Sequence, residues 1–176
     1  MSTVSDLTIW TIGHSTRTLP EFLELLACHR IEAVGDVRSF PGSRRYPHFN
    51  AEELGPSLNK AGVLYVPLTK LGGRRKPRAD SPHTVWRNAS FRAYADYMDT
   101  AEFRSGIDEL LELATAKRTA IMCSEAVWWR CHRSMIADYL KSLGVTVEHI
   151  MDGKDVIHPY TSAASIINGR LVYGAA

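Results

Sequence analysis

Short apolar runs alternate along the chain with segments whose apolar residues recur every three or four positions. These are the signatures of buried strands and amphipathic helices. Ile9 to Ile12 is a β-favouring run closed by Gly13 and reads as a first strand. Thr18, Pro20 and Glu21 then form a capped helix start, with Leu19, Phe22, Leu23 and Leu26 on one face behind it. Ala33 to Val37 is a second strand. Ala51 to Ala61 is helical and stops at Gly62, and Val63 to Val66 is a third strand closed by Pro67. Phe91 to Met98 reads as a short helix. A longer one runs from Glu102 to Ala116, with Phe103, Ile107, Leu110, Leu111 and Ala114 sharing a face. Thr119 to Cys123 is a fourth strand, and Arg133 to Leu143 a helix with Ile136, Leu140 and Leu143 inward, ended by Gly144. Val145 to Ile150 is a fifth strand, and Leu171 to Tyr173 an edge strand in a less regular tail.

Strands that alternate with helices predict an α/β fold: one three-layer domain, a mostly parallel sheet of about five strands, and helices on both faces. Ligands in such sheets bind beyond the carboxyl ends of the strands. Residues 67–90, rich in Gly, Pro, Arg and Lys, carry no regular pattern. A loop of that length is usually functional or mobile, and it could close over a ligand.

The 176 residues are 45% apolar, which suits a single ordinary core and excludes a disordered chain. Three cysteines do not suit a disulfide framework. No secretory signal or membrane-spanning run is read, so the expected location is the cytoplasm, with no membrane partner. The net charge of +2 conceals an asymmetry. Residues 38–92 hold eleven basic against three acidic side chains, a local excess of +8, and the remainder carries −6. Concentrated positive charge attracts anions.

The strand ends supply the candidate chemistry. After the first strand, Gly13 is followed by His14 and Ser15, which offer hydrogen bonds or proton transfer to a bound substrate. After the second, Asp36 and Arg38 face one side. Asp36 reads as a base, a metal ligand or a hydroxyl anchor, or as half of an ion pair that positions the loop. Ser43, Arg44 and Arg45 follow, and arginine suits planar recognition of phosphate or carboxylate. After the third strand, Gly72, Gly73 and Arg74 suggest a backbone nest for an anion, or simply a flexible basic loop.

After the fourth strand the residues are densest, from Cys123 and Glu125 to Cys131, His132 and Arg133. Cys131 falls at a helix start beside Arg130 and Arg133, which favours thiolate and makes it a nucleophile, redox centre or ligand. Glu125 suits a general acid or base. Trp128 and Trp129 offer stacking surface for a base or sugar. Cys123 reads as a small buried hydrophobe.

A phosphatase loop is excluded, because five residues after Cys123 place Trp129 where the arginine belongs. Zinc held by Cys123, Cys131, His132 and His158 is disfavoured, since adjacent Cys and His rarely share one ion; no metal is assigned. A Cys123–Cys131 redox pair is ranked lower still, its spacing being unlike C-x-x-C. His149, His158 and Tyr160 fall near the same sheet edge and read as surface or core-satisfying groups.

Taken together, the motifs resemble a known family. They are Thr11 to Ser15, Asp36 to Arg38, Pro41 to Arg45, Leu71 to Arg75, Met122 to Glu125 and Cys131 to Arg133. The family is the bacterial and archaeal domain of unknown function 488, and the resemblance spans roughly Ile9 to Tyr173. It implies a single α/β domain with these motifs clustered at the carboxyl edge of the sheet. It assigns no catalytic role and no cofactor.

Three functions compete on this reading. The first is an enzyme acting on a phosphate-bearing or other anionic small molecule or nucleotide. Asp36, Glu125, Cys131 and His132 would supply its chemistry. His14, Ser15, Arg38, Ser43, Arg44, Arg45, Gly72, Gly73, Arg74 and Arg133 would bind its substrate. The second is a nucleic-acid-binding module using the basic 38–92 segment, ranked lower because the pI is near 8.5. The third is a partner-binding protein without chemistry. Oligomeric state is not legible.

Overall fold

A computed structural model describes residues 3–174. Six strands form one sheet in the order β3-β2-β4-β1-β5-β6. The strands β1 (Thr8–Gly13), β2 (Ala33–Asp36), β3 (Leu64–Pro67), β4 (Thr119–Cys123) and β5 (Thr146–His149) are parallel. The short strand β6 (Val156–Ile157) adds antiparallel to β5. A mostly parallel sheet was expected, with one strand fewer. The tail strand β8 (Arg170–Val172) is not an edge of this sheet; it pairs with β7 (Ser165–Ile167) in a separate hairpin. A three-residue apolar run carries no signal of which sheet it joins.

The helices are α1 (Leu19–Cys28), α2 (Ala51–Lys60), α3 (Ala89–Met98), α4 (Ala101–Ala116) and α5 (Arg133–Ser142). The predicted capping box is present at α1, where Thr18 and Glu21 bond each other's backbone. Strand periodicity divides the core into two layers. Trp10, Ile12, Val34, Ala120 and Met122 pack with Phe22 and Leu26 of α1 and Leu54 and Leu58 of α2. Ile9, Ile121 and Val147 pack on the other face with α4 and α5 through Phe103, Ile107, Leu110, Ile136 and Leu140. Leu143, expected inward, falls at the α5 C-cap and is exposed. Among the described residues no helix is long and apolar enough to cross a membrane.

This arrangement creates a switch point between β1 and β4. The chain leaves β1 toward α1 on one face and leaves the neighbouring β4 toward α5 on the other. The loops diverge there and open a crevice at the carboxyl edge.

Between β3 and α3 the chain from 68 to 88 is irregular apart from one helical turn at Thr69–Leu71, but hydrogen bonds and packing hold it to the rest of the domain. Buried Asp96 accepts from the Arg78 amide (3.3 Å) and the Ser81 hydroxyl (2.6 Å). His83 bonds Asp99 and the Tyr173 carbonyl, and the Trp86 ring packs against Phe91 and Tyr173. These contacts fasten the segment to α3, to Asp99 after it and to Tyr173.

Candidate functional site

A cleft of about 760 Å³ opens at the switch point. Gly13 sets its back wall. A Cβ there would lie 1.7 Å from the Glu125 carbonyl oxygen, so only glycine lets the loops after β1 and β4 cross. Ser15 follows in the left-handed region at φ 48. His14 is buried and stacks on Phe49, with ring centroids 4.4 Å apart. Its Nδ1 bonds the Ser15 carbonyl (3.0 Å), which leaves Nε2 as acceptor toward Arg38 Nη1 (3.4 Å). Burial, aided by the Arg38 charge, pushes His14 down to about 4, so the ring is neutral.

Arg38 is held rather than free. Asp36 grips it through two oxygens (2.9 and 2.8 Å) and also accepts from Tyr65 OH (2.5 Å). Asp36 does not line the cleft, and both its oxygens are engaged. It positions the guanidinium, and the geometry leaves no place for it as a base.

The floor holds the two cysteines. Cys123 ends β4, and Cys131 sits in the turn before α5. The loop between them folds back, so their Sγ atoms lie 2.8 Å apart. Cys131 Sγ also accepts from the Arg133 backbone N–H (3.4 Å) and faces His132 Nδ1 (3.5 Å). His132 Nε2 lies 2.8 Å from the Val37 carbonyl, so it carries the ring proton. Nδ1 is thereby left as an acceptor for the thiol proton. Gly73 makes room for this ring, since a Cβ there would lie 2.5 Å from His132 Nδ1.

Arg133 is almost fully buried behind the cysteines. Its guanidinium donates to the Glu125 carbonyl (2.6 Å) and the Thr11 hydroxyl (3.2 Å), both neutral, and its Nε has no hydrogen-bond partner. A buried cation needs an anion, and the charges that raise Arg133 against its burial are those of Cys123 and Cys131. Burial alone would raise the Cys131 thiol. The Cys123 thiol, the His132 ring and the Arg133 charge outweigh it and hold Cys131 well below the usual range. Cys123 goes the opposite way, raised by burial and by its neighbour's charge.

The walls carry Arg38, Arg74 and Arg130, with Ser15, Ser39, Ser43, Tyr46, Ser90 and Glu125. Arg44, Arg45 and Gly72 do not line the cleft, and Arg133 lies beneath its floor. Arg45 lies over the Tyr46 ring. The nest reading of Gly72-Gly73 also fails. Gly72 has φ −57 and Gly73 has no positive φ, so the alternating hand of a nest is absent. Gly72 instead gives room to the Ser39 hydroxyl, 2.6 Å from a would-be Cβ. Trp128 is no open platform either; it stacks on His149 at 4.5 Å, and the exposed Trp129 points elsewhere than the cleft.

Sequence reasoning missed Cys123, Ser39, Tyr46, Ser90 and Arg130 as cleft residues. Cys123 had an available signal, as the last residue of a strand on the ligand-binding edge. Beside the site, His158 does not approach the cysteines. It bonds Asp138 Oδ1 (2.8 Å) and His149 (2.9 Å), so the zinc set built on it does not assemble. Among the described residues, the one group of three side chains spaced to hold an ion is His29, Glu148 and Asp155.

The family model for "Domain of unknown function DUF488" matches residues 18–140. That span begins after the Thr11 to Ser15 motif and ends inside α5, so it is shorter than the resemblance in the motifs. It covers well over half the chain, and the chain belongs to this family. No curated protein and no solved structure matches significantly.

Proposed function

We propose that this member of the DUF488 family is an enzyme that uses Cys131 as a nucleophile toward a small anionic molecule held in the cleft. One observation carries the reading. Cys131 Sγ lies on the cleft floor with its charge matched by a buried arginine that has no carboxylate partner among the described residues. His132 Nδ1 is placed to take the thiol proton, and Arg38, Arg74 and Arg130 supply the field for an anion. Glu125 is exposed on the wall, where it can serve a leaving group as acid.

The basic segment supports a small anion over a nucleic-acid backbone. Lys70 pairs with Glu109 and Arg78 with Asp80, while Arg75 and Arg92 bond backbone carbonyls. Only Arg38 and Arg74 of its cations line the cleft.

The test is the pH profile of alkylation. In Cys28→Ser protein, iodoacetamide labels Cys131 at a rate that stays high well below pH ~8.5, where a free thiol protonates. Phosphate or sulfate slows labelling, and Arg38→Met removes that protection. A rate that rises through pH ~8.5 like a free thiol overturns the reading.

A further inference from the structure

We infer that Cys123 is the resolving thiol for Cys131, and that the pair reduces small disulfides bearing carboxylates. The inference rests on Cys131 being the nucleophile and adds the second sulfur and the substrate class.

The geometry leaves Cys123 little other role. Its Sγ, 2.8 Å from Cys131 Sγ, is the nearest nucleophile to anything that forms on that atom. The strand β4 fixes it from one side and the turn before α5 fixes Cys131 from the other, so attack is intramolecular and orientation is prepaid. Timing follows from charge. Burial, and after it the charge on a Cys131 thiolate, keep Cys123 protonated. Once an adduct forms on Cys131, that charge is gone and Arg133 faces only Cys123. Ionising the second thiol is then opposed by burial alone and assisted by Arg133.

The steps balance. Cys131 thiolate attacks one sulfur of R–S–S–R′; the substrate S–S bond breaks, R′S⁻ leaves and a Cys131–S–S–R bond forms. Cys123 gives its proton to R′S⁻ and attacks Cys131 Sγ. RS⁻ leaves and the Cys123–Cys131 disulfide forms. Two electrons pass from the dithiol to the substrate.

The cleft fits such a substrate. Arg38, Arg74 and Arg130 line its walls, which suits carboxylates near the reacting sulfur. About 760 Å³ accommodates a molecule of small-peptide size, whereas a hydroperoxide would leave nearly all of it empty.

The experiment uses reduced, full-length Cys28→Ser protein and 5,5′-dithiobis(2-nitrobenzoate), whose released thiolate is coloured. The parent should release two thiolates per chain, the second at a rate independent of reagent concentration. Its mass should fall by two hydrogens with no adduct. With Cys123→Ala added, release should stop at one and leave a stable adduct on Cys131. A parent that keeps its adduct, or whose second release scales with reagent, overturns the resolving role. No release from Cys131 in either protein overturns the nucleophile itself. If the alanine variant melts before assay, the parent's kinetics and mass decide alone. For substrate class, oxidised glutathione should react at least ~10-fold faster than cystamine, with salt shrinking the ratio. Equal rates overturn the anionic preference.

Discussion

Two buried polar clusters meet at Arg133 and Thr11, and they treat their protons differently. On one side runs a chain of hydrogen bonds. Arg133 Nη1, which can only donate, bonds the Thr11 hydroxyl (3.2 Å), and the hydroxyl bonds His149 Nδ1 (2.6 Å). His149 Nε2 bonds His158 Nδ1 (2.9 Å), and His158 Nε2 bonds Asp138 (2.8 Å), which as a carboxylate can only accept. Both ends fix the direction, and every link closes with each ring carrying one N–H. Asp138 accepts further from the Thr161 amide and hydroxyl and from Tyr173 OH. On the other side, adjacent Cys123 and Cys131 are shifted in opposite directions, the first to keep its proton and the second to lose it, beside an open cleft. A satisfied buried network rigidifies a fold, whereas a charge left beside a cavity marks chemistry. The titratable groups of the two clusters look alike in the sequence; completeness separates them.

The most severe way to break this contrast is Gly13→Ala. The added methyl meets the Glu125 carbonyl, which is backbone and also the acceptor for Arg133. Both clusters lose their shared arginine at once. A loss above about 4 kcal/mol is expected, checked by denaturant unfolding, with Cys131 alkylation falling to the rate of an ordinary thiol. Milder unfolding would mean the loops can part without cost.

Asp138→Asn sharpens the contrast. The amide turns donors toward donors at a fully buried site, at a cost of about 2–4 kcal/mol in chemical denaturation. If the network is structural, Cys131 alkylation in the folded protein should stay within about threefold of wild type. A larger fall would make the network part of the thiolate's support.

Much of this was legible from residue order. The short apolar runs and helical patterns located the five parallel strands and all five helices, because all but the edge strand β3 bury apolar residues in the ordinary way. The carboxyl-edge rule then placed His14, Arg38, Cys131 and His132 together. What escaped depends on distance across the fold. Cys123 and Cys131 are eight apart in sequence, a spacing unlike the familiar redox motif, and only the folded-back loop joins them. Asp36 read either as chemistry or as half of an ion pair with Arg38; the pair is what forms, and Tyr65 from β3 adds a further bond that residue order could not show. The glycines at 72 and 73 read as ligand-binding backbone, yet their demand is for space against Ser39 and His132. Charge counting showed an excess but could not tell that Lys70, Arg75, Arg78 and Arg92 find partners within the chain.

The gentlest probe is pH, because the buried histidines of the two clusters shift one way and the part-buried, carboxylate-paired His29 the other. His14 and His149 are lowered, to about 4 and about 2, chiefly by burial. The unfolded chain therefore binds protons first as pH falls. Stability is complete above pH about 6.5 and is lost progressively toward pH 4. His29 is raised: burial pulls it down, but the Asp155 carboxylate and the Leu25 carbonyl outweigh that. Its contribution is fully present below pH about 6.5 and disappears as pH rises through its folded value. The ion pair is part-exposed, so it is worth under about 1 kcal/mol. Denaturation midpoints from pH 4 to 8 should thus show a steep acid limb. His149→Gln should flatten part of that limb, at a cost in stability at neutral pH. Asp155→Asn should leave the limb intact and change only the shallow slope near neutrality. A limb untouched by His149→Gln would mean that the ring is protonated in the folded protein, and the one-directional chain from Arg133 to Asp138 would have to be redrawn.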